Sequence, residues 1–279
     1  DAGLLVGVFV LHHAAGSTVF SEIFQGDWPR QEGVFGHGLG SAMAGCLLLL
    51  AAAGKSAQVP FSGWLPRAME GPTPSSAVFY GAISVHAGAY LALRSAPVMA
   101  TAPAAAGAVV AVGLLTAIVG TLGGRVSADA KTALAQASLA QVGVVFVEIG
   151  LGFHRLALLH ILGHAVVRTL QFLRAPSTLH DFHQIHAAAD GRLEKPSIYY
   201  EALLPPKLRA RLYGFALERG RMDVLLDRCL LAPLMALARV FAAYDRLWAP
   251  GPAGPPRGVR TARNDRRAAS IPERAVEGS

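Results

Sequence analysis

Apolar residues in this chain arrive in long runs separated by short polar breaks. Four runs, Ala77–Leu93, Ala104–Leu122, Ala133–Gly152 and Leu156–Phe172, are each 17–20 residues long. That is close to the ~20 helical residues that cross a ~30 Å hydrocarbon layer at about 1.5 Å per residue. A fifth run, Leu39–Gly54, precedes them and ends at Lys55, and residues 2–15 read as a helix entered partway along. Between these two, residues 16–37 read as a polar, glycine-containing loop. Prolines at 60, 66, 72 and 74 are too many for one continuous helix, so the stretch Pro60–Pro74 predicts a break. Abundant Ala and Gly let helices approach closely in lipid. The pattern predicts an all-α, polytopic transmembrane helix bundle with a Pro-broken helix, followed by a basic peripheral tail.

Three regions follow. Residues 1–174 form the transmembrane domain, which opens mid-helix without an initiator Met and is read as N-terminally truncated. Residues 175–248 are a peripheral segment. Within it Met222–Trp248 is expected to be an amphipathic surface helix, because only Cys229–Ala238 is free of charge, too short to span. Residues 249–279, rich in Pro, Gly, Arg and Ala, have little to bury and are expected to be disordered. Composition agrees: 53% of residues are hydrophobic and 15% charged, against about 25% charged in a soluble domain.

Charge sharpens the picture. Of 25 basic residues 17 lie from Arg174 onward, with 11 of the 18 acidic ones, so the tail is net +6 and residues 1–173 net +1. A basic excess beside apolar helices fits a juxtamembrane cytoplasmic tail, with lipid and not nucleic acid as its partner. Alternation then places Arg67, Arg125 and Lys131 inside, against Arg94 and Arg155 outside. Cys46 and Cys229 lie in apolar stretches and read as inert thiols.

Ionisable groups inside apolar helices are costly and persist where the interior is wet or paired. Lys55 ends an apolar run, where desolvation could bring its proton loss toward neutrality; a lysine snorkelling to the headgroups is the competing reading. Glu70 sits beside the unpaired backbone of Gly71, Pro72 and Pro74 and could pair with Lys55, or act as a charge at a helix N-terminus. His160, His164 and Arg168 recur every four residues, on one helix face. Stacked imidazoles suit a proton relay; interhelical hydrogen bonds or a metal are the alternatives. His86, Lys131, Gln136, Ser138 and Gln141 are further polar groups at depth, while Glu148 near a helix end can be interfacial. His180, His183 and His186 with Asp181 read as a solvated loop more than a metal site. No phosphate-binding loop, dinucleotide glycine motif, CxxC pair or nucleophile elbow occurs. No redox cofactor, ATP or metal is therefore expected, and energy would come from an ion gradient or a partner.

Three strings carry a resemblance: Gly54-Lys-Ser-Ala-Gln-Val-Pro-Phe-Ser-Gly-Trp-Leu-Pro-Arg-Ala-Met-Glu-Gly-Pro-Thr-Pro, Asp129-Ala-Lys-Thr-Ala-Leu-Ala-Gln-Ala-Ser-Leu-Ala-Gln-Val-Gly, and Leu159-His-Ile-Leu-Gly-His-Ala-Val-Val-Arg. In that order, over roughly Gly38–Arg174, they resemble the antiporter-like subunits of respiratory complex I and of multisubunit cation/proton antiporters. The resemblance implies a proton- or sodium-translocating subunit that is not itself an enzyme. Lys55 matches the buried channel lysine, Lys131 the lysine opening a later helix, and His160 and His164 the paired channel histidines. Arg168 stands where lysine is usual, and arginine cannot release a proton at accessible pH. Tyr80 replaces a histidine, and His86 stands where threonine is usual. The tail, with Leu204-Pro-Pro-Lys-Leu-Arg-Ala-Arg-Leu-Tyr, is more similar to the membrane subunit of DAB-type inorganic carbon transporters. That finer resemblance implies a large peripheral zinc-containing, carbonic-anhydrase-like partner and a bacterial inner membrane. The broader one implies other complex I or antiporter membrane subunits as partners. A non-conducting membrane scaffold for a soluble enzyme is the reading from another class.

Overall fold

The computed structural model describes residues 2–17, 19–25, 36–127, 129–175 and 205–248. Contacts divide the chain into two units, Asp1–Arg228 and Cys229–Ser279, taken separately below. The histidines of the 180–186 stretch and residues 249–279 lie outside the described residues.

Among the described residues the first unit holds helices and no strand, and four of the helices are long and apolar enough to cross a membrane: Thr73–Arg94, Pro103–Val126, Ala130–Gly150 and His154–Arg174. They coincide with the four runs expected from the apolar pattern. Helices Ala2–Ala15 and Gly36–Lys55 precede them and pack on each other. The expected loop at 16–37 also contains a six-residue helix, Phe20–Gln25. Its apolar Phe20, Ile23 and Phe24 outweigh the loop-like composition around them, and Ile23 is buried.

Local chemistry sets the boundaries. Pro103 opens its helix at the first turn, where its missing N–H costs nothing. Asp129 caps the next helix, its carboxylate accepting from the Thr132 amide at 2.8 Å and the Thr132 hydroxyl at 2.9 Å. Helices Pro103–Val126 and Ala130–Gly150 then touch backbone to backbone. A Cβ on Gly113 would lie 2.5 Å from the Gly143 carbonyl oxygen, and one on Gly143 would lie 2.6 Å from that of Gly113. Only hydrogen fits at either position, as in close helix pairs in lipid.

The expected break between Pro60 and Pro74 is present. Helix Gly36–Lys55 gives way to a buried, non-helical stretch, then the four-residue helix Trp64–Arg67, a 3-10 turn at Ala68–Glu70 and extended backbone at Gly71. Side chains tie it down: its Val59 amide donates to Thr116 Oγ1 at 2.9 Å, and its Ser56 Oγ grips the facing helix, accepting from the Ala89 amide at 2.9 Å while donating to the Val85 carbonyl at 2.6 Å. Irregular backbone is tolerated at membrane depth only when satisfied inside the protein in this way.

Helix Pro206–Leu217 packs on Pro103–Val126, and Arg67 beside the break pairs with Asp223 of the following helix Met222–Leu226. Within the stretch expected as a helix, Met222–Leu226 and Ala232–Trp248 are α-helical and Asp227–Leu231 is a π-turn. The described part of the second unit is the end of that turn and helix Ala232–Trp248. There Leu230, Leu234, Leu237, Phe241 and Tyr244 recur every three or four residues and are all exposed, an amphipathic stripe.

Candidate functional site

Helix His154–Arg174 is inside out relative to a soluble helix. Its packed face carries Ala157, Ile161, His164, Arg168 and Phe172, whereas Leu159, Leu162, Val166, Leu170 and Leu173 are exposed. Aliphatic side chains therefore face outward, while His164 and Arg168 of the row expected from spacing turn inward and His160 is half-buried. His164 and Arg168 are each only 8% exposed. They do not point to the headgroups.

Two helices bring partners to this row. The first is Thr73–Arg94, whose turns widen to a π-helix over Ala77–Ile83 just before His86. The widened turns lie against helix His154–Arg174, where a Cβ on Gly81 would come within 3.1 Å of the Thr169 backbone. Such π segments often re-aim side chains at functional sites. His86, 5% exposed, reaches His164, with Nε2 to Nδ1 at 2.8 Å and ring centroids 5.0 Å apart. His86 Nδ1 also contacts the Ala82 carbonyl at 3.1 Å. A carbonyl only accepts, so Nδ1 carries the proton, Nε2 accepts, and His164 Nδ1 is the donor between the rings. His164 Nε2 is buried without a protein partner, as is Arg168 Nε.

The second partner helix is Ala130–Gly150. Glu148 Oε1 accepts from His160 Nδ1 at 2.9 Å, and Gln141 Oε1 lies 3.1 Å from His160 Nε2. The amide of Gln141 can present either its oxygen or its NH2 group, so the ring can be held in either protonation state. His160 and His164 stand edge to face with centroids 6.4 Å apart. Glu148, His160, His164 and His86 thus form two hydrogen-bonded pairs joined by one ring-to-ring step. Glu148 lies near the loop that joins the two helices, while Arg168 lies toward their other end.

That other end carries Lys131. A lysine in the first turn of a helix opposes the helix dipole, but its Nζ reaches across and donates to the Gly71 carbonyl at 2.6 Å, holding the broken backbone. Glu70 and Lys55, expected as a pair, are not brought together. Both are exposed, and among the described residues Glu70 forms no ion pair. Glu148 and Gln141 take the place in the network that spacing alone did not give them. Among the described residues no three His, Cys, Asp or Glu side chains converge as a metal site.

An all-α, multi-pass membrane bundle with a titratable seam between its helices is the class this geometry defines. The family model described as NADH:quinone oxidoreductase/Mrp antiporter, transmembrane, matches residues 1–193, and the chain belongs to that family. NADH-quinone oxidoreductase subunit L of Mycobacterium tuberculosis is 38% identical over 186 residues, 66% of this chain and 28% of that protein. Chloroplastic NAD(P)H-quinone oxidoreductase subunit 5 of Dioscorea elephantipes is 30% identical over 256 residues, 87% of this chain and 34% of that protein. Among solved structures, the Mrp complex from Dietzia sp. DQ12-45-1b contains a chain with TM-score 0.56 and 28% identity, covering 71% of this chain and 21% of that one. The chain therefore spans about a quarter to a third of the length of the relatives it matches.

Proposed function

We propose that this chain is an ion-translocating membrane segment, a transport subunit and not an enzyme, and that its seam of Glu148, His160, His164 and His86 carries protons. The observation that carries this reading is the line of four titratable side chains on the packed faces of apolar helices, where an inert bundle would hold aliphatic ones. A proton taken up on His160, whose charged ring the Glu148 carboxylate supports, crosses to His164 Nε2 by a ring turn or a bridging water, and the Nδ1 proton of His164 passes to His86 Nε2 through the short contact. Arg168, permanently charged, stays fixed and sets the field in which the imidazoles work. Sodium is the other candidate ion, but a chain of imidazoles is suited to protons.

The relatives named above favour a role within an NADH:quinone oxidoreductase or Mrp-type antiporter assembly, beside other membrane subunits. The similarity of the tail supports the narrower alternative, a DAB-type inorganic carbon complex with a peripheral zinc-containing partner in a bacterial inner membrane. Arg67, Arg125, Lys131, Arg174 and Arg209 belong to the same end of the bundle as the tail, which supports a cytoplasmic tail. The test is proton flux into liposomes containing the chain, read with a trapped pH dye in sodium-free buffer. The reading expects flux above protein-free liposomes that His86→Ala/His164→Ala abolishes. Equal flux from variant and wild type leaves a non-conducting scaffold. Co-purification of either a large zinc protein or other oxidoreductase or antiporter subunits separates the two assemblies.

A further inference from the structure

Away from the seam, the last turn of helix Pro103–Val126 and helix Pro206–Leu217 flank a groove of about 90 Å³, open on one side. Leu122, Val126 and Leu212 form its apolar walls; Arg125, Arg209 and Tyr213 line its rim. Both arginines are exposed, and among the described residues neither makes an ion pair. Two unpaired guanidinium groups at one rim call for an anion, and each can hold a phosphate oxygen pair through its planar fork.

What kind of anion follows from the wall below them. Leu115, Ile118, Leu122 and Arg125 recur every three or four residues on one face of the helix. Leu115 is 52% exposed and Ile118 48%. The groove thus continues into an apolar stripe that descends toward the bilayer centre, with positive charge only at its top. A free phosphate would use the arginines and leave the stripe idle. An amphiphile uses both, with Tyr213 at the level where phenols sit in a membrane interface. Asp129, the nearby carboxylate, is committed to capping its own helix and lines the adjoining pocket instead.

We propose that this groove binds one anionic phospholipid, its phosphodiester between Arg125 and Arg209 and one acyl chain along Leu122, Ile118 and Leu115. The site joins the basic tail to the bundle through lipid, at the end of the molecule where a tail helix and a span meet.

The experiment uses the full 279-residue chain in detergent micelles doped with phosphatidylglycerol or phosphatidylcholine, with retained lipid counted by native mass spectrometry. One phosphatidylglycerol is expected to be retained about tenfold better than phosphatidylcholine. Arg125→Gln/Arg209→Gln should remove that preference. Lys207→Gln/Arg211→Gln removes the same charge from the same helix outside the groove and should leave it intact. Should the arginine variant not fold, Leu122→Trp fills the groove with both arginines present and is expected to abolish retention. Equal retention of the two lipids overturns the proposal, as does equal loss in the two charge variants. Competition by millimolar inorganic phosphate also overturns it, by showing a plain phosphate site.

Discussion

Two regions of this molecule hold polar groups at membrane depth, and they do so in opposite ways. In the break around Ser56–Gly71, polar groups meet partners that keep their charge: Thr116 and the Lys131 ammonium take its backbone, and Ser56 bonds the backbone of the facing helix. In the seam, side chains that can gain or lose a proton satisfy one another: Glu148 with His160, and His164 with His86. Hydroxyls and carbonyls do not change charge near neutral pH, whereas imidazoles do. On the proposed function, the break is scaffold and the seam is the path for charge.

The strongest way to break that contrast is His164→Ala, which interrupts both the contact to His86 and the row on its own helix. Flux should fall by about 10²-fold or more, the scale of a lost proton-transfer group, with helix content by circular dichroism unchanged. Glu148→Gln keeps an acceptor for His160 but cannot take a proton; about tenfold slower flux is expected, near the low end of that scale. On the scaffold side, Ser56→Ala strips partners from the buried Ala89 amide and Val85 carbonyl. It should cost about 1–3 kcal/mol in unfolding assays, while flux per folded molecule stays the same. Loss of flux there would erase the distinction. Asp129→Ala removes a helix cap and should cost about 1 kcal/mol without changing flux. Arg67→Gln breaks an exposed ion pair with Asp223 and should shift stability by less than about 1 kcal/mol.

Much of this was legible in the sequence. Run lengths gave the four spans, prolines the break, and four-residue spacing the common face of His160, His164 and Arg168. That the face points inward was implied by the leucines and valines filling the other sides. The partnership of Glu148 with His160 was hidden because it depends on how two antiparallel helices face each other. Side chains tilt toward the N-terminus of their own helix, so Glu148 leans away from the connecting loop while His160 leans toward it, and they meet. A signal was present: Gln141 and Glu148 are seven residues apart and share a helix face. The π-turns that aim His86 leave no such trace, since Ala77–Ile83 reads as ordinary apolar helix.

The ion pair between Arg67 and Asp223 makes the broken segment and the chain beyond the last span mechanical neighbours. Asp223 also lies against Gly63, so close that any Cβ there would collide with its carboxylate. Gly71, whose carbonyl accepts from Lys131, lies four residues beyond Arg67, so one short segment carries both the surface ion pair and the contact to a partly buried ammonium.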